Sequence, residues 1–382
     1  MKDHILPFNF GSTVSTTAFT NREEDALHLK SNLVGGINTL LISPRRWGKS
    51  SLVEKVILDL KKEHPDLFIV SFDMFSVGDE KEFLELFARS VITASSNKWE
   101  EWMQLIKKYF RKLTPKLNFG INPSIDFSIT FDLSELEKHK DEVLNLPELI
   151  AQEKGTRYII CIDEFQNLRD IDSNFQLEKR LRAVWQRQKQ VTYCIYGSKR
   201  HMMNDIFSNS SNAFYKFGDL MFLPKISSEK WVAFIIKQFK RTGKSIDKQN
   251  ALLISNSMKN HSWYVQQLSH YAWIRTENSC TQQIIESAIE QVVQSNTPLF
   301  QREIELLNQS QIRLIKAILS GEKQLSSKAT IDKFNLGTSA LVVKNRRLLM
   351  EADIIDVQGN SIELLDPVFE IYFRRLYRIN SF

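Results

Sequence analysis

The sequence predicts an α/β fold in which helices cover a parallel sheet, and three observations predict it. Strand-like apolar segments alternate with helix-like segments up to about residue 225. The segment 158–162 is apolar throughout, which is typical of a strand buried on both faces of a parallel sheet. From residue 227 to about residue 294 the strand signals stop and amphipathic helices follow one another. The chain therefore combines a sheet-based core with a helical part.

Two patterns justify the elements of the core. Short continuous apolar runs predict the strands, and apolar residues spaced three and four apart predict the helices. In chain order these are helix 21–33, strand 39–42, helix 50–60, strand 67–72, helix 81–93, strand 158–162, helix 177–188 and strand 192–196. Residues 116–131 alternate apolar and polar side chains around Asn122–Ser124, which predicts an inserted β-hairpin of unknown role. We assign residues 1–225 to this core.

The remaining chain predicts two smaller domains. Residues 226–295 predict a helical lid, since 229–241 and 263–274 are amphipathic. Residues 296–382 predict a winged-helix domain, because the order helix, turn, helix, hairpin is typical of that fold. Its predicted elements are helix 309–319, helix 326–334, turn 335–337, helix 338–350 and the strands 354–357 and 361–364.

The helix 338–350 carries three cations, Lys344, Arg346 and Arg347, and no acid. The helix before the hairpin of a winged helix can enter the major groove, so these residues are candidate contacts to double-stranded DNA. Winged helices also bind proteins, and cations on an exposed helix are often only solvated. DNA binding and protein binding both stay open.

The segment most informative about function follows strand 39–42 and has the sequence Ser43-Pro-Arg-Arg-Trp-Gly-Lys-Ser-Ser51. In a loop of this kind backbone N–H groups surround a phosphate, Lys49 reaches the terminal phosphates and the Ser50 hydroxyl ligates Mg²⁺. Ser43 stands where the full phosphate-loop pattern has glycine, and serine fits there only if φ stays negative. The alternative is an ordinary strand, turn and helix with a lysine at the helix start.

A second acidic segment supports the phosphate loop. The strand 158–162 ends in Asp163 and Glu164, and ligands of parallel sheets lie at the carboxyl ends of the strands. Asp163 is therefore expected to hold Mg²⁺ through water, and Glu164 to polarise the attacking water. The alternative is a strand that ends in a solvated acidic pair. Together the two segments predict a P-loop NTPase core.

Composition excludes several other classes. The chain has 382 residues, 42% apolar and 25% charged, which is ordinary globular composition. Its three cysteines have no metal-type spacing, and no apolar window is long enough to cross a membrane. These features, with no export signal at residues 1–10, predict a cytoplasmic protein. The formal net charge of +6 permits an acidic partner without requiring one.

Several segments together resemble the archaeal-type AAA+/STAND ATPases of prokaryotes, whose P-loop core precedes a helical lid and a winged helix. They are Phe19–Glu23, Pro44–Ser50, Ile162–Gln166, Gly197–Ser198, Trp263–Leu268 and Asp366–Phe369. The resemblance implies an AAA+-like fold that binds ATP or ADP with Mg²⁺.

The resemblance also implies roles for individual residues. The nucleotide-binding residues would be Asn21, Arg22, Pro44, Arg45, Arg46, Trp47, Gly48, Lys49, Ser50 and Ser51. Ser50 and Asp163 would hold the metal, Glu164 and Lys49 would be catalytic, and Ser198 would occupy the polar sensor position. Two alternatives stay open: Ser198 as a helix N-cap, and 21–23 as a capped helix start.

One departure from the family pattern bears on the rate of ATP hydrolysis. The segment 214–217 has no arginine where the family usually supplies one, and such an arginine is worth about 10³ or more in rate. We therefore expect a slow, nucleotide-dependent ATPase switch, with DNA binding by the winged helix as an added function. The alternative is a hydrolysis-deficient, nucleotide-binding scaffold that regulates by binding DNA or protein. The protein partner and the oligomeric state stay open.

Overall fold

The structure is a computed structural model, and it describes residues 6–11, 22–111, 113, 115–119, 127–172, 174–359 and 361–379. It divides into two compact units. The first contains residues 22–45 and 49–224, and we call it the sheet unit. The second contains residues 46–48 and 225–382 together with the N-terminal residues, and we call it the helical unit.

The sheet unit alternates helices and strands, as the sequence predicts. Its elements are α1 (Glu23–Val34), β1 (Thr39–Ile42), α2 (Lys49–Glu63), β2 (Phe68–Asp73), α3 (Glu80–Ala94), α4 (Trp99–Tyr109), β3 (Lys116–Phe119), β4 (Phe127–Thr130), α5 (Leu133–Leu144), α6 (Leu146–Lys154), β5 (Tyr158–Asp163), α7 (Leu168–Ile171), α8 (Gln176–Trp185), β6 (Val191–Gly197), α9 (Arg200–Ser208) and β7 (Asp219–Phe222). A 3₁₀ turn, Phe165–Asn167, separates β5 from α7.

Five strands form one parallel sheet in the order β2-β5-β6-β1-β7. Both neighbours of β1 come later in the chain, so the loop after β1 leaves the sheet where the strand order changes direction. Ligands of open α/β sheets bind at such a point. Because all five strands run the same way, the residues that follow β1, β5 and β6 lie at one edge of the sheet.

The core of the sheet unit is rich in aromatic side chains. The Trp185 ring stacks on Tyr193 with 4.2 Å between ring centroids, and Phe165 packs against both Trp185 and Phe214. Phe165 directly follows Glu164 in the chain and is fully buried. This packing fixes the backbone immediately after the acidic pair.

The alternating segment near residue 120 forms an antiparallel pair in which Leu117 lies opposite Ile129. This is the pairing that its alternating pattern predicts. The predicted turn at Asn122–Ser124 lies outside the described residues. The sequence analysis did not identify α4, α5 and α6, which lie before and after this pair.

The helical unit contains α10 (Ser228–Arg241), β8 (Ser245–Ile246), α11 (Lys248–Ser257), α12 (Ser262–Arg275), β9 (Ser279–Cys280), α13 (Gln282–Glu305), α14 (Gln309–Leu319), α15 (Lys328–Phe334), α16 (Ser339–Glu351), β10 (Ile355–Gln358), β11 (Ser361–Leu364) and α17 (Pro367–Leu376). The expectation that strands are absent from residues 227–294 is wrong, since β8 and β9 pair in parallel. Two-residue strands are too short to produce a recognisable sequence period.

The order α14, α15, α16 and the antiparallel pair β10–β11 follows the predicted order of helices and hairpin. Its assignment as a winged helix, and the division of residues 226–382 into two domains, stay predictions. Asp366 begins α17 as its N-cap, accepting from the N–H groups of Val368 and Phe369 and from the Tyr264 hydroxyl.

None of the helices in the described part of the chain combines the length and the apolar character that a membrane crossing requires. Each of the three cysteines is buried and forms no disulfide. Cys161 and Cys194 lie opposite each other on β5 and β6, within the apolar runs that predict these strands. They are therefore packed as small apolar side chains.

Candidate functional site

The loop between β1 and α2 has the backbone that a phosphate loop needs. Arg46 and Gly48 adopt left-handed φ angles of 65° and 95°, whereas Ser43 does not have a positive φ. Ser43 is buried, and its hydroxyl donates to the Pro44 carbonyl at 3.1 Å. Serine at this position is therefore compatible with the turn, and the condition set by the sequence analysis is met.

Lys49 begins α2 and points toward the acidic pair at the end of β5. Its side chain is only 6% exposed, and its ammonium forms an ion pair with Asp163. The same ammonium lies 3.5 Å from Glu164 Oε1 and 4.9 Å from the centroid of the Tyr196 ring. The two segments that the sequence analysis singled out therefore meet at one place.

Ser50 and Asp163 bring oxygen donors together at the same place. The Ser50 hydroxyl donates to Asp163 Oδ2 at 2.8 Å, and the Glu164 N–H donates to Asp163 Oδ1 at 2.8 Å. Mg²⁺ prefers oxygen ligands and is usually bound by one or two protein groups together with water and phosphate. This hydroxyl and carboxylate fit such an ion, and when bound it would neutralise phosphate charge.

Glu164 is held by several donors and adopts a left-handed backbone with φ of 50°. Its Oε2 accepts from Ser198 Oγ at 2.8 Å and from the Gln166 amide. Burial alone would raise the pKa of Glu164, but Lys49, Gln166, Ser198 and Arg45 outweigh it and hold the pKa below its usual value. The ionised form is therefore the stable one.

Ser198 follows β6, and its position decides between two interpretations of this residue. The residue that caps α9 is Lys199, and no side chain caps that helix. The Ser198 hydroxyl instead donates to Glu164 and accepts from Arg45 Nε at 3.4 Å. Ser198 thus lies among the candidate site residues rather than serving as a helix cap.

Asp73 is a third carboxylate that the sequence analysis missed. It ends β2 directly opposite Asp163 in the sheet register. Burial raises its pKa, as do the carboxylates of Asp163 and Glu164, and the Phe75 N–H and Lys49 only partly oppose this. Its position in the sequence could have indicated it, since Asp73 follows a predicted strand just as Asp163 does.

Comparisons with known proteins agree with this geometry. The model of the KAP family P-loop domain matches residues 47–226. A curated ATP-binding protein of Methanocaldococcus jannaschii, itself uncharacterised, is 26% identical over 159 residues. That alignment spans 41% of this chain and 42% of the relative. Residues 47–226 of the chain therefore form a P-loop domain.

Two solved structures share the fold of this chain. A Walker-type ATPase of Pyrococcus abyssi aligns with a TM-score of 0.67 at 17% identity, covering 96% of this chain and 99% of that one. The ORC2 protein of Aeropyrum pernix, solved in ADPNP–ADP complexes, aligns with a TM-score of 0.57 at 12% identity, covering 97% and 99%. At such identities the likeness concerns the fold.

The other predicted nucleotide-binding residues lie near the start of α1 and on either side of the loop after β1. Arg22 is buried and donates to the Pro224 carbonyl at 2.7 Å, whereas Asn21 lies outside the described residues. Pro44 is buried after β1, and Ser51 lies in the first turn of α2.

The three middle residues of the loop, Arg46, Trp47 and Gly48, group with the helical unit. The Arg46 guanidinium lies 4.7 Å from the centroid of the Trp263 ring, and the Trp47 carbonyl accepts from Ser262 Oγ at 3.3 Å. Both of these contacts are made to the first turn of α12. The other loop residues, 43–45 and 49–51, group with the sheet unit.

The segment 214–217 supplies no arginine, as its sequence indicates. Phe214 and Phe217 are buried in the aromatic core, and the guanidinium of Arg182 from α8 lies 4.9 Å from the centroid of the Phe217 ring. Burial lowers the pKa of Arg182. Phe214 and Phe217 therefore pack in the core of the sheet unit.

The basic residues of α16 belong to the helical unit. Lys344, Arg346 and Arg347 are all exposed. The helix extends one residue further than the sequence predicts, to Glu351, whose carboxylate lies 3.4 Å from Arg347 Nε. The helix therefore does include an acid, and that acid partly compensates the charge of Arg347.

Proposed function

We propose that this P-loop ATPase binds MgATP at Lys49 and Ser50 and hydrolyses it slowly, as a nucleotide-dependent switch. The observation that carries the proposal is the contact of Lys49 and Ser50 with Asp163 and Glu164. Few arrangements other than a nucleotide site need a lysine, a hydroxyl and two carboxylates beside a loop with left-handed backbone. The relatives, an ATP-binding protein and an ORC2 protein solved in ADPNP–ADP complexes, support an adenine nucleotide.

Each side chain then has a role that its chemistry suits. Lys49 binds the terminal phosphates, with the loop N–H groups, and Ser50 and Asp163 would hold Mg²⁺. Glu164 orients the attacking water and accepts its proton. The water oxygen bonds to the γ-phosphorus while the bond from that phosphorus to the β,γ-bridging oxygen breaks. ADP leaves with that electron pair, and the other product is inorganic phosphate.

Slow turnover is proposed because the segment 214–217 supplies no arginine to stabilise the transferred phosphoryl group. Such a residue is worth about 10³ or more in rate. We further propose that residues 226–295 act as a lid and residues 296–382 as a winged helix, so that nucleotide state changes their arrangement. The contacts of Arg46 and Trp47 with α12 support this proposal, because these two loop residues belong to the helical unit.

Calorimetric titration of MgATP into wild type and Lys49→Ala tests the binding site. We expect the variant to bind about 10- to 100-fold more weakly, because it lacks a charge-assisted hydrogen bond to phosphate. Lys55→Ala is the matched control, since Lys55 also lies on α2 but pairs with Asp59. Equal affinity of wild type and Lys49→Ala would refute the proposal. Binding without any turnover would instead favour the hydrolysis-deficient scaffold.

A second candidate function is binding of double-stranded DNA through α16, which the exposed Lys344, Arg346 and Arg347 favour. Replacing all three with alanine is expected to weaken binding and to lower the salt slope by about 3, because each cation that neutralises a phosphate contributes about 1. The same triple change at the exposed Lys237, Lys240 and Arg241 of α10 is the control. A salt slope that the α16 variant leaves unchanged would exclude this function.

A further inference from the structure

Gln166 is a buried polar residue to which the proposed reaction has assigned no role. It lies in the 3₁₀ turn after β5 and is only 1% exposed. Its Nε2 donates to Glu164 Oε2, the same oxygen that accepts from Ser198 at 2.8 Å. The amide nitrogen must face the carboxylate, because an amide oxygen there would repel it.

The two carboxylate oxygens of Glu164 differ in their hydrogen bonds. Oε2 of Glu164 accepts from Gln166 and Ser198, whereas Oε1 accepts from Lys49 at 3.5 Å. The carboxylate cannot rotate without breaking two charge-assisted hydrogen bonds. The left-handed backbone of Glu164, with φ of 50°, is also one that persists only when surrounding groups hold it.

Gly197 leaves the space that Gln166 occupies. It ends β6, and a Cβ added to it would lie 2.1 Å from Gln166 Oε1 and 2.7 Å from Met203 Sδ. Its φ is not positive, so the position requires glycine for space rather than for backbone conformation. Gln166 Oε1 has no hydrogen-bond partner among the described residues, which is costly for a buried oxygen. This cost suggests that the amide is kept for the bond made by its nitrogen.

We propose that Gln166 is a positioning residue for ATP hydrolysis, whose amide, packed against Gly197, fixes the Glu164 carboxylate so that Oε1 faces the attacking water. The inference rests on the proposed function of this site. Gln166 itself touches neither substrate nor metal in this mechanism. Its effect should therefore fall on kcat rather than on MgATP binding.

The test is steady-state ATP hydrolysis and MgATP calorimetry on the full chain carrying Gln166→Met, which keeps the volume but removes the donor. We expect kcat to fall about 10- to 100-fold, with KM and the MgATP Kd within about twofold of wild type. Gly197→Ala should likewise lower kcat while KM and the MgATP Kd stay near wild type, because its methyl group displaces the Gln166 amide. Gln238→Met is the control: Gln238 is 3% exposed, and its Oε1 also lacks a partner among the described residues.

A double variant separates positioning from general damage. In the Glu164→Gln background, Gln166→Met should cause no further loss of kcat, because no carboxylate is left to orient. Wild-type kcat in both Gln166→Met and Gly197→Ala would overturn the inference, and so would a parallel loss of kcat and MgATP affinity. A wild-type kcat in Glu164→Gln would overturn the proposed function itself, and this inference with it.

Discussion

Glu164 and Asp366 are two half-buried carboxylates, one in each unit, whose pKa values move in opposite directions. Each accepts hydrogen bonds from a hydroxyl and from other N–H groups. Burial raises the pKa of Asp366 above its usual value, and the donors from Tyr264, Phe369 and Val368 only partly oppose this. The pKa of Glu164 is instead held below its usual value.

The difference between the two lies in the cations. The Lys49 ammonium is 3.5 Å from Glu164, whereas among the described residues no Lys or Arg nitrogen lies within 4 Å of Asp366. Glu303 shows the same behaviour as Asp366, since burial and then Asp366 itself raise its pKa. At Asp366 the hydrogen bonds and the charge of Arg46 do not offset burial, whereas at Glu164 the close cation and the hydrogen bonds together do. The Glu164 site favours charge and the Asp366 site disfavours it.

The largest expected effect separates the two carboxylates by function. Glu164→Gln should lower kcat about 10²- to 10⁴-fold, because the amide cannot accept a proton from water, while MgATP binding is kept. Asp366→Asn should leave kcat within about twofold, since Asp366 is a helix cap. ATP turnover under saturating MgATP measures both. Comparable losses in the two variants would remove the functional distinction.

A smaller effect tests the hydroxyl that faces Glu164. Ser198→Ala removes one charge-assisted hydrogen bond from Oε2, and kcat should fall about 10-fold. Ser255→Ala is the control, because that buried hydroxyl donates to the Leu252 carbonyl of its own helix. Equal kcat for Ser198→Ala and wild type would mean that Gln166 and Lys49 suffice to hold the carboxylate.

The smallest effect concerns stability and pH. The pKa of Asp366 is higher in the folded state than in the unfolded state, so the unfolded protein loses this proton at a lower pH. The free energy of unfolding therefore falls as pH rises above the usual carboxyl pKa, and it levels off above the folded-state pKa. Asp366→Asn keeps an acceptor for the Val368 and Phe369 N–H groups and cannot ionise. Its unfolding free energy relative to wild type should therefore increase from about pH 4 toward neutral.

Urea unfolding at several pH values measures this change. Asp247→Asn, at the exposed N-cap of α11, controls for the same substitution in a helix cap. A difference between Asp366→Asn and wild type that stays constant with pH, or that reverses, would contradict the pKa direction on which the comparison rests.

The sequence alone determined the α/β fold and the identity of the phosphate loop. The strand 39–42, the loop to Ser51 and the run that ends in Asp163 are continuous in the chain, so local pattern carries them. It did not reveal α5 and α6. The α5 helix is interrupted by a non-helical residue, His139, and α6 has only nine residues, so neither gives a long helical pattern.

Only the tertiary structure decided which side chains hold Glu164 and which acid lies beside it. Gln166, Ser198 and Arg45 come from three separate loops, and Asp73 reaches the site only because β2 pairs with β5. The space left by Gly197 likewise exists only once β6 packs beside the turn after β5. A sequence pattern shows only which side chains of one segment face the core. The contacts between strand ends depend on strand order, and that order is set by packing of the whole sheet.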